Sequence, residues 1–262
     1  MIPADSYHTP PDTKRLWLDK LLPGWLLAFR WEFLRITFNA RRKCQKNRYA
    51  DQDWIESSDR MIRLFERCGG KFHITGMENL RTCKKPVVFI SNHMGTLETM
   101  VFPGLIAPVM RTTFVVKDSL VKSWIFGPVM RSRNPIVVGR SNSRQDLTEV
   151  LTRGQELLSA GISIVIFPQH TRRSEFVPEE FNTIGVKLAA KAGVQVIPVA
   201  IKTDFWKNGK QIRELGGLDR DKPIYFHFGK PMEIKGNGKE ENQEIIRFIS
   251  EYLKTWSSMS DR

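Results

Sequence analysis

The chain has 262 residues, which is enough for one large domain with a buried core. Hydrophobic residues make up 41% and charged residues 26% of it, a composition that excludes an intrinsically disordered protein. The formal net charge of +13 predicts an anionic partner, which could be a nucleic acid, an anionic bilayer or an acidic carrier protein.

Residues 1–13 contain prolines and acidic residues but no apolar core of a secretory signal peptide, so we predict a flexible tail. The three cysteines, Cys44, Cys68 and Cys83, are odd in number and follow no CxxC or metal-ligand spacing. They indicate free thiols in a reducing compartment.

The next segment, residues 14–48, holds ten Lys/Arg and two Asp/Glu, so it supplies +8 of the net charge. Its aromatic residues are Trp17, Trp25, Phe29, Trp31, Phe33 and Phe38. Pro23, Gly24 and several charges interrupt the run of about 20 apolar residues that a membrane-spanning helix needs. We therefore predict amphipathic helices in the membrane interface. The alternatives are an ordinary helix packed on the domain and, less favoured, an arm that binds nucleic acid.

From residue 86 the pattern changes to short β-branched runs that alternate with helical stretches. Strands are predicted at 86–91, 112–117, 135–140, 162–167, 194–201 and 223–229, and helices at 144–160, 182–192 and about 240–256. Several strands are apolar on both faces, as expected for a buried parallel sheet. The fold class predicted is therefore α/β, with a mostly parallel central sheet flanked by helices and an N-terminal amphipathic membrane-anchoring segment. The domains predicted are a tail at 1–13, a helical membrane-interface segment at 14–68 and an α/β domain at 69–262.

The first candidate site is FISNHMGTLETM, residues 89–100, where a strand leads into His93 and then Glu98. Five residues turn a helix by about 140°, so these two side chains can meet only if His93 lies before the helix and folds back over its first turn. Glu98 would then fix one imidazole nitrogen as a donor, which leaves the other to accept a proton. The alternative makes Asn92 a helix N-cap and Glu98 a surface acid.

The second candidate is IVIFPQHTRRSE, residues 164–175, where a strand ends at a proline and presents a hydroxyl and guanidinium groups. Arginine binds phosphate with two parallel hydrogen bonds, so a phosphate site is one interpretation and a solvated polar loop is the other. The third segment, GVQVIPVAIK at 193–202, is predicted to be core. There is no GxSxG, GxxxxGK, GxGxxG or HExxH motif.

In this order, the three segments resemble the motifs of the glycerolipid acyltransferases, which include the lysophosphatidic acid acyltransferases. The family's Asn-His-x4-Asp is matched by Asn92, His93 and Glu98, its FPEGTR by FPQHTR at 167–172, and its Val-Pro segment by VIPVAI at 196–201. Its linking block resembles residues 117–140, with Lys117 and Arg140 at matching places.

The resemblance implies that His93, oriented by Glu98, deprotonates the acceptor hydroxyl for attack on the thioester of acyl-CoA or acyl carrier protein. Thr171 and Arg172 would hold the acceptor phosphate, and Arg140 is a second candidate for it. The substrate-binding residues predicted are Asn92, Lys117, Arg140, Gln169, His170, Thr171 and Arg172.

The resemblance also implies no metal, no other cofactor and no covalent acyl-enzyme. The partners implied are membrane lipids and a lysophospholipid acceptor such as 1-acyl-glycerol-3-phosphate, without nucleic acid; the oligomeric state is left open. The protein would lie on the cytoplasmic face of the membrane as a monotopic or peripheral enzyme.

Two departures from the family pattern keep alternatives open. Glu98 stands where Asp is usual, and Gln169 and His170 stand where the family has Glu and Gly. The acceptor could therefore be a different lipid alcohol or amine, or the protein could be a catalytically inactive membrane-binding homologue. A metal hydrolase that uses His93, Glu98 and His170 is the remaining hypothesis.

Overall fold

The computed structural model describes residues 5–17, 26–169, 171–209 and 216–260. Its strands are β1 (Tyr7–His8), β2 (Phe72–Thr75), β3 (Val88–Ser91), β4 (Thr112–Lys117), β5 (Ile136–Val138), β6 (Ser163–Ile166), β7 (Val196–Lys202) and β8 (Ile224–Phe228). Its α-helices are α1 (Leu27–Gln45), α2 (Asp51–Arg67), α3 (Asn79–Thr82), α4 (Leu97–Ile106), α5 (Asp118–Lys122), α6 (Gly127–Ser132), α7 (Ser143–Ser159), α8 (Ile184–Ala192) and α9 (Lys239–Ser260). A 3-10 turn covers Pro178–Glu180.

The eight strands form one sheet in the order β1-β2-β8-β7-β3-β6-β4-β5. All neighbouring pairs are parallel except β1 with β2 and β7 with β8, which are antiparallel. The α/β class with a mostly parallel sheet is therefore confirmed, and the six predicted strands correspond to β3–β8.

Side chains that alternate along the central strands divide the core into two layers. On β3, Phe89 packs with α1, α2 and α4, whereas Val88 and Ile90 pack with α7, α8 and α9 on the opposite face. Val165 of β6 and Ile164 beside it divide in the same way. This alternation follows from the two-residue repeat of a strand, and it places helices on both faces of the sheet.

The amino-terminal helices belong to the same core as the sheet. Phe29 and Phe33 of α1 and Trp54 and Phe65 of α2 are buried in the cluster that contains Phe89. Residue 68, the predicted limit of the membrane-interface segment, is therefore not a boundary in the packing.

Residues 5–13 differ from the predicted flexible tail. Tyr7 and His8 form an edge strand on β2, and the hydroxyls of Tyr7 and Thr9 donate to the buried Glu66 at 2.6 and 2.7 Å. Hydrogen bonds to a buried carboxylate hold this segment against the sheet.

Candidate active site

The site lies at the carboxyl ends of the parallel strands β3 and β6, where open α/β sheets place their ligands. Asn92 follows β3 and is 1% exposed. Its side chain donates to the carbonyl of Ile201 at 2.8 Å and accepts from the Ile201 N–H at 2.9 Å. The Asn92 amide thus joins the end of β3 to β7, and its predicted contact with substrate stays untested.

His93 lies in the loop between β3 and α4, before the helix begins, as the pairing with Glu98 requires. The His93 Nδ1 to Glu98 Oε1 distance is 2.8 Å. The same oxygen accepts the backbone N–H groups of Met94 and Gly95, both at 2.7 Å. The loop therefore folds back over the first turn of α4 and brings imidazole and carboxylate together.

The second oxygen of Glu98 accepts a hydrogen bond from the hydroxyl of Thr203 at 2.8 Å. Both Glu98 and Thr203 are completely buried. Burial alone would raise the pKa of Glu98, but the hydrogen bond and charge of His93 and the backbone N–H donors hold that pKa below its ordinary value. Glu98 is consequently ionised and accepts only, so the proton of the His93 ring resides on Nδ1.

The pKa of His93 lies below its ordinary value of 6.5, and its largest cause is burial. Glu98 raises this pKa, whereas the charges of Arg172 and Arg140 lower it. The imidazole is therefore neutral at neutral pH, with Nε2 available to accept a proton.

Three further contacts fix the position of His93. Its ring stacks on Phe167 with the centroids 4.3 Å apart and the planes 19° from parallel. Its backbone N–H donates to Gln169 Oε1 at 2.8 Å, and its carbonyl accepts the N–H of Arg173 at 3.0 Å. Gln169, which is 2% exposed, therefore contacts the loop that holds His93, and its predicted contact with substrate remains untested.

The His93 ring lines a cavity of about 620 Å³. Lys117, Arg140, Thr171 and Arg172 line the same cavity, so four of the predicted site residues meet there with His93. The rest of the wall is largely apolar and comes from α1, α2, α4, β4 and α6: Ile36, Ala40, Trp54, Met61, Met100, Phe114, Val116, Phe126, Val129 and Met130. A cavity that combines basic side chains with a largely apolar wall suits a ligand with an anionic group and a hydrocarbon chain.

Arg140 and Arg172 are each held in position by local contacts. Arg140 has a φ of 62°, in the left-handed region that non-glycine residues seldom adopt. The carboxylate of Asp146 holds this turn by accepting the N–H groups of Gly139 and Arg140 at 2.9 and 2.8 Å. Arg172 donates from Nη1 to the hydroxyl of Thr96 at 2.9 Å, in the segment between His93 and the start of α4.

Sequence reasoning missed Thr203, Thr96 and Phe167 as parts of the site. The only sequence signal for Thr203 was its position directly after β7. That signal is weak, because a threonine after a buried strand is common in structural turns. His170 was predicted to bind substrate and lies outside the described residues.

Among those residues, no group of three or more His, Cys, Asp or Glu side chains is close enough to share a metal ion. The metal-hydrolase hypothesis, which includes His170, stays untested. Within the described part of the chain, no helix combines the length and hydropathy needed to cross a bilayer.

Comparisons with known proteins agree with this geometry. A family model described as acyltransferase matches residues 71–202. The chain is 27% identical over 220 residues to the 1-acyl-sn-glycerol-3-phosphate acyltransferase of Pseudomonas aeruginosa, covering 82% of this chain and 80% of that protein. It is also 27% identical over 187 residues to the protein of the same name from Borreliella burgdorferi, covering 71% of each chain.

Among solved structures, the 1-acyl-sn-glycerophosphate acyltransferase of Thermotoga maritima aligns with a TM-score of 0.60 over 93% of each chain. Its sequence identity is 20%, so this match shows the shared fold. The family model, by contrast, covers half of the chain. The chain therefore belongs to the glycerolipid acyltransferase family and is an acyltransferase.

Proposed function

We propose that the protein transfers a fatty acyl chain from acyl-CoA or acyl carrier protein to the hydroxyl of a lysophospholipid such as 1-acyl-glycerol-3-phosphate, in phospholipid synthesis or remodelling. The observation that carries this proposal is the lining of a single cavity, which brings the His93 imidazole together with basic residues and a largely apolar wall. The relatives from Pseudomonas aeruginosa and Borreliella burgdorferi, which carry the name of this activity, support the choice of acceptor.

In the proposed mechanism, His93 Nε2 accepts the proton of the acceptor hydroxyl as its oxygen attacks the thioester carbonyl. Glu98 stabilises the imidazolium that forms, since the carboxylate is ionised and 2.8 Å from Nδ1. The tetrahedral intermediate then expels the thiolate, which takes the proton back from His93. The products are an ester and a free thiol, and neither a metal, another cofactor nor an acyl-enzyme takes part.

The polar and apolar parts of the cavity have separate roles in this proposal. Arg172 and Thr171 bind the phosphate of the acceptor, with Arg140 and Lys117 adding positive charge. The acyl chain lies in the apolar part, beneath α1 and α2. A volume of about 620 Å³ is within the range of sites that enclose most of a lipid-sized ligand.

The protein acts as a monotopic or peripheral enzyme at a membrane surface, on the cytoplasmic face. Leu27, Trp31 and Trp124 are 56%, 70% and 65% exposed, an unusual degree for large apolar side chains, and Leu34 and Phe38 lie on the same helix as Leu27 and Trp31. Tryptophans beside arginines are typical of segments at headgroup depth.

A second acceptor class is favoured by one observation. Gln169 replaces the glutamate of the family motif, and among the described residues its Nε2 atom has no hydrogen-bond partner although it is buried. A buried N–H donor in place of an acceptor suits a different lipid alcohol, whose oxygen can accept that hydrogen bond, rather than a protonated amine, which only donates.

The test uses purified protein in detergent micelles with acyl-CoA or acyl carrier protein as the donor. The acceptors are lysophosphatidate, lysolipids with larger headgroups, monoacylglycerol and a long-chain amine. We expect ester formation to be fastest with lysophosphatidate and to be abolished by His93→Ala. The matched control is His8→Ala, since His8 lies on the edge strand β1 and outside the cavity. Equal rates for wild type and His93→Ala would refute the proposal.

A further inference from the structure

A second concave surface of about 540 Å³ lies between the end of α1 and the segment that holds α5 and α6. Arg41, Lys122 and Arg131 line it together with Gln45 and Trp124. None of these five residues lines the catalytic cavity. We call this surface the basic groove.

Both arginines of the groove are bound to the same short stretch of backbone. Arg131 Nη1 donates to the carbonyl of Val121 at 2.5 Å, and Arg41 Nε donates to the carbonyl of Trp124 at 2.9 Å. Gly127 makes the first contact possible, because a Cβ there would lie 2.4 Å from the Val121 oxygen and 2.8 Å from Arg131 Nη1. The two guanidinium groups are thus held in place by residues 121–124, although Arg131 itself is exposed.

The positive charge of the groove is largely uncompensated. Among the described residues, neither Arg41 nor Arg131 forms an ion pair; the other side-chain partner of Arg41 is the neutral amide of Gln45, at 2.9 Å. Lys122 pairs with Asp118 at 2.9 Å, but its own side chain is 77% accessible to solvent, and pairs that solvent reaches contribute little. A guanidinium carries five N–H donors, so both arginines retain donors for an oxyanion.

The groove borders the exposed apolar side chains of α1, which are Leu27, Trp31, Leu34 and Phe38. The Arg41 guanidinium lies 4.3 Å from the centroid of the Trp124 ring, and that ring meets Phe38 edge-on at 5.7 Å. Exposed aromatic rings at the edge of a site would not contribute to the binding of a soluble anion. The surface of an anionic bilayer supplies both a phosphate for the guanidinium groups and an apolar layer for the rings.

We propose that the basic groove binds the phosphate of an anionic phospholipid headgroup in the bilayer on which the enzyme acts. This inference rests on the proposed function at a membrane surface, and it adds a lipid-binding site separate from the catalytic cavity. The groove lipid is bound but not acylated, because its phosphate is held by residues outside that cavity.

The test measures binding to vesicles of phosphatidylcholine, with and without one quarter phosphatidylglycerol, by sedimentation. The variant combines Arg41→Gln, Lys122→Gln and Arg131→Gln. The matched control combines Lys187→Gln, Lys191→Gln and Lys254→Gln, which remove the same charge from exposed positions on α8 and α9 across the sheet. At about fivefold per basic residue near an anionic surface, we expect the groove variant to bind the mixed vesicles on the order of 100-fold more weakly, and the control to bind within a fewfold of wild type.

Arg131→Lys tests for a defined phosphate site, because lysine keeps the charge but lacks the planar fork of donors. We expect it to bind the mixed vesicles more weakly than wild type does, although its charge is unchanged. If the groove and control variants lose equal affinity, or Arg131→Lys binds as wild type does, the attraction is diffuse and the proposal fails.

Two arms separate the bilayer from other anions. Protection of the wild-type protein against thermal unfolding by inorganic phosphate alone, lost in the groove variant, would make this a site for a soluble anion. A groove variant that binds vesicles normally but has a raised KM for acyl carrier protein would make it the docking site of the donor. Either result overturns the proposal.

Activity in detergent micelles is the independent check. We expect the groove variant to keep the wild-type kcat there, since its changes lie outside the catalytic cavity. If the wild-type protein acylates no lysolipid in micelles, the proposed function fails, whatever the vesicles show.

Discussion

Replacing Glu98 by glutamine separates the two roles of its carboxylate towards His93. Oε1 accepts the N–H groups of His93, Met94 and Gly95 within 2.8 Å. Since backbone N–H groups only donate, a glutamine must place its carbonyl oxygen at that position and its amide nitrogen beside Thr203. The threonine hydroxyl can turn from donor to acceptor, so the variant keeps the proton on His93 Nδ1 and removes the charge alone.

The size of the effect follows from the distance between the charges. With His93 Nδ1 and Glu98 Oε1 2.8 Å apart, the centres of imidazolium and carboxylate are about 5 Å apart. At an effective dielectric constant of about 20, the attraction is about 3 kcal/mol. The imidazolium exists only once the proton has moved, so this stabilisation is lost in the transition state, and kcat should fall roughly 200-fold.

The pH dependence provides a second readout. Below the pKa of His93 the imidazole is protonated and cannot act as a base, so kcat/KM falls on the acidic side. Burial holds that pKa below 6.5, while Glu98 raises it. Glu98→Gln removes the raising effect, so the acidic limb of the profile should move to lower pH as the rate falls.

The assay follows the release of free thiol from acyl-CoA by purified wild-type protein, Glu98→Gln and His93→Ala across the acidic range. A Glu98→Gln rate as low as that of His93→Ala would mean that the imidazole has lost its orientation. A movement of the acidic limb of the kcat/KM profile to higher pH would mean that the Glu98 charge does not raise the pKa of His93. Either outcome refutes the reasoning.

Substitutions at four further positions test the surroundings of the site. Thr203→Val leaves a buried carboxylate oxygen without its hydroxyl partner, so the free energy of unfolding in urea should fall by about 2 kcal/mol. Thr203→Ser keeps the hydroxyl and should therefore retain most of the wild-type free energy of unfolding. Asn92→Ala leaves both peptide groups of Ile201 without a partner and should lower the same quantity by about 3 kcal/mol; an unchanged urea midpoint would contradict this. Ala40→Phe narrows the apolar cavity, so relative kcat/KM over a series of acyl-CoA lengths should shift towards short chains, and an unchanged ranking would place the chain elsewhere. Gln169→Glu should move the acidic limb of the kcat/KM profile to higher pH, opposite to the change at residue 98.

The sheet could be predicted because buried parallel strands are apolar along their whole length. The strands that prediction missed, β1 and β2, have two and four residues, and the polar residues His8 and His73 pair across them. Helix α4 contains Pro103 and Gly104, which sequence rules treat as helix breakers. Packing overrides that preference, because Ser58 of α2 accepts the Gly104 N–H at 2.8 Å, in space that a side chain at residue 104 would fill.

The site could be predicted only as far as its members lie close in the chain or carry an unusual chemical group. Glu98 is five residues from His93 in the sequence. By contrast, Gln169 is 76 residues from its partner His93, and Thr203 is 105 residues from its partner Glu98. They meet because β6 and β7 flank β3 and end at the same edge of the sheet. A threonine or glutamine after a strand carries no sequence signal of that meeting.

Gln169 contacts the backbone of His93 where the family motif has a glutamate. Either a glutamine or a glutamate could accept the His93 N–H, so that hydrogen bond does not distinguish them. They differ in charge, since a glutamate that is ionised at residue 169 would raise the pKa of His93 further. With glutamine there, burial and the charges of Arg172 and Arg140 outweigh the single carboxylate, and the imidazole stays neutral to lower pH. A base of lower pKa is weaker, so Gln169 increases the fraction of His93 that can accept a proton at the expense of its strength as a base.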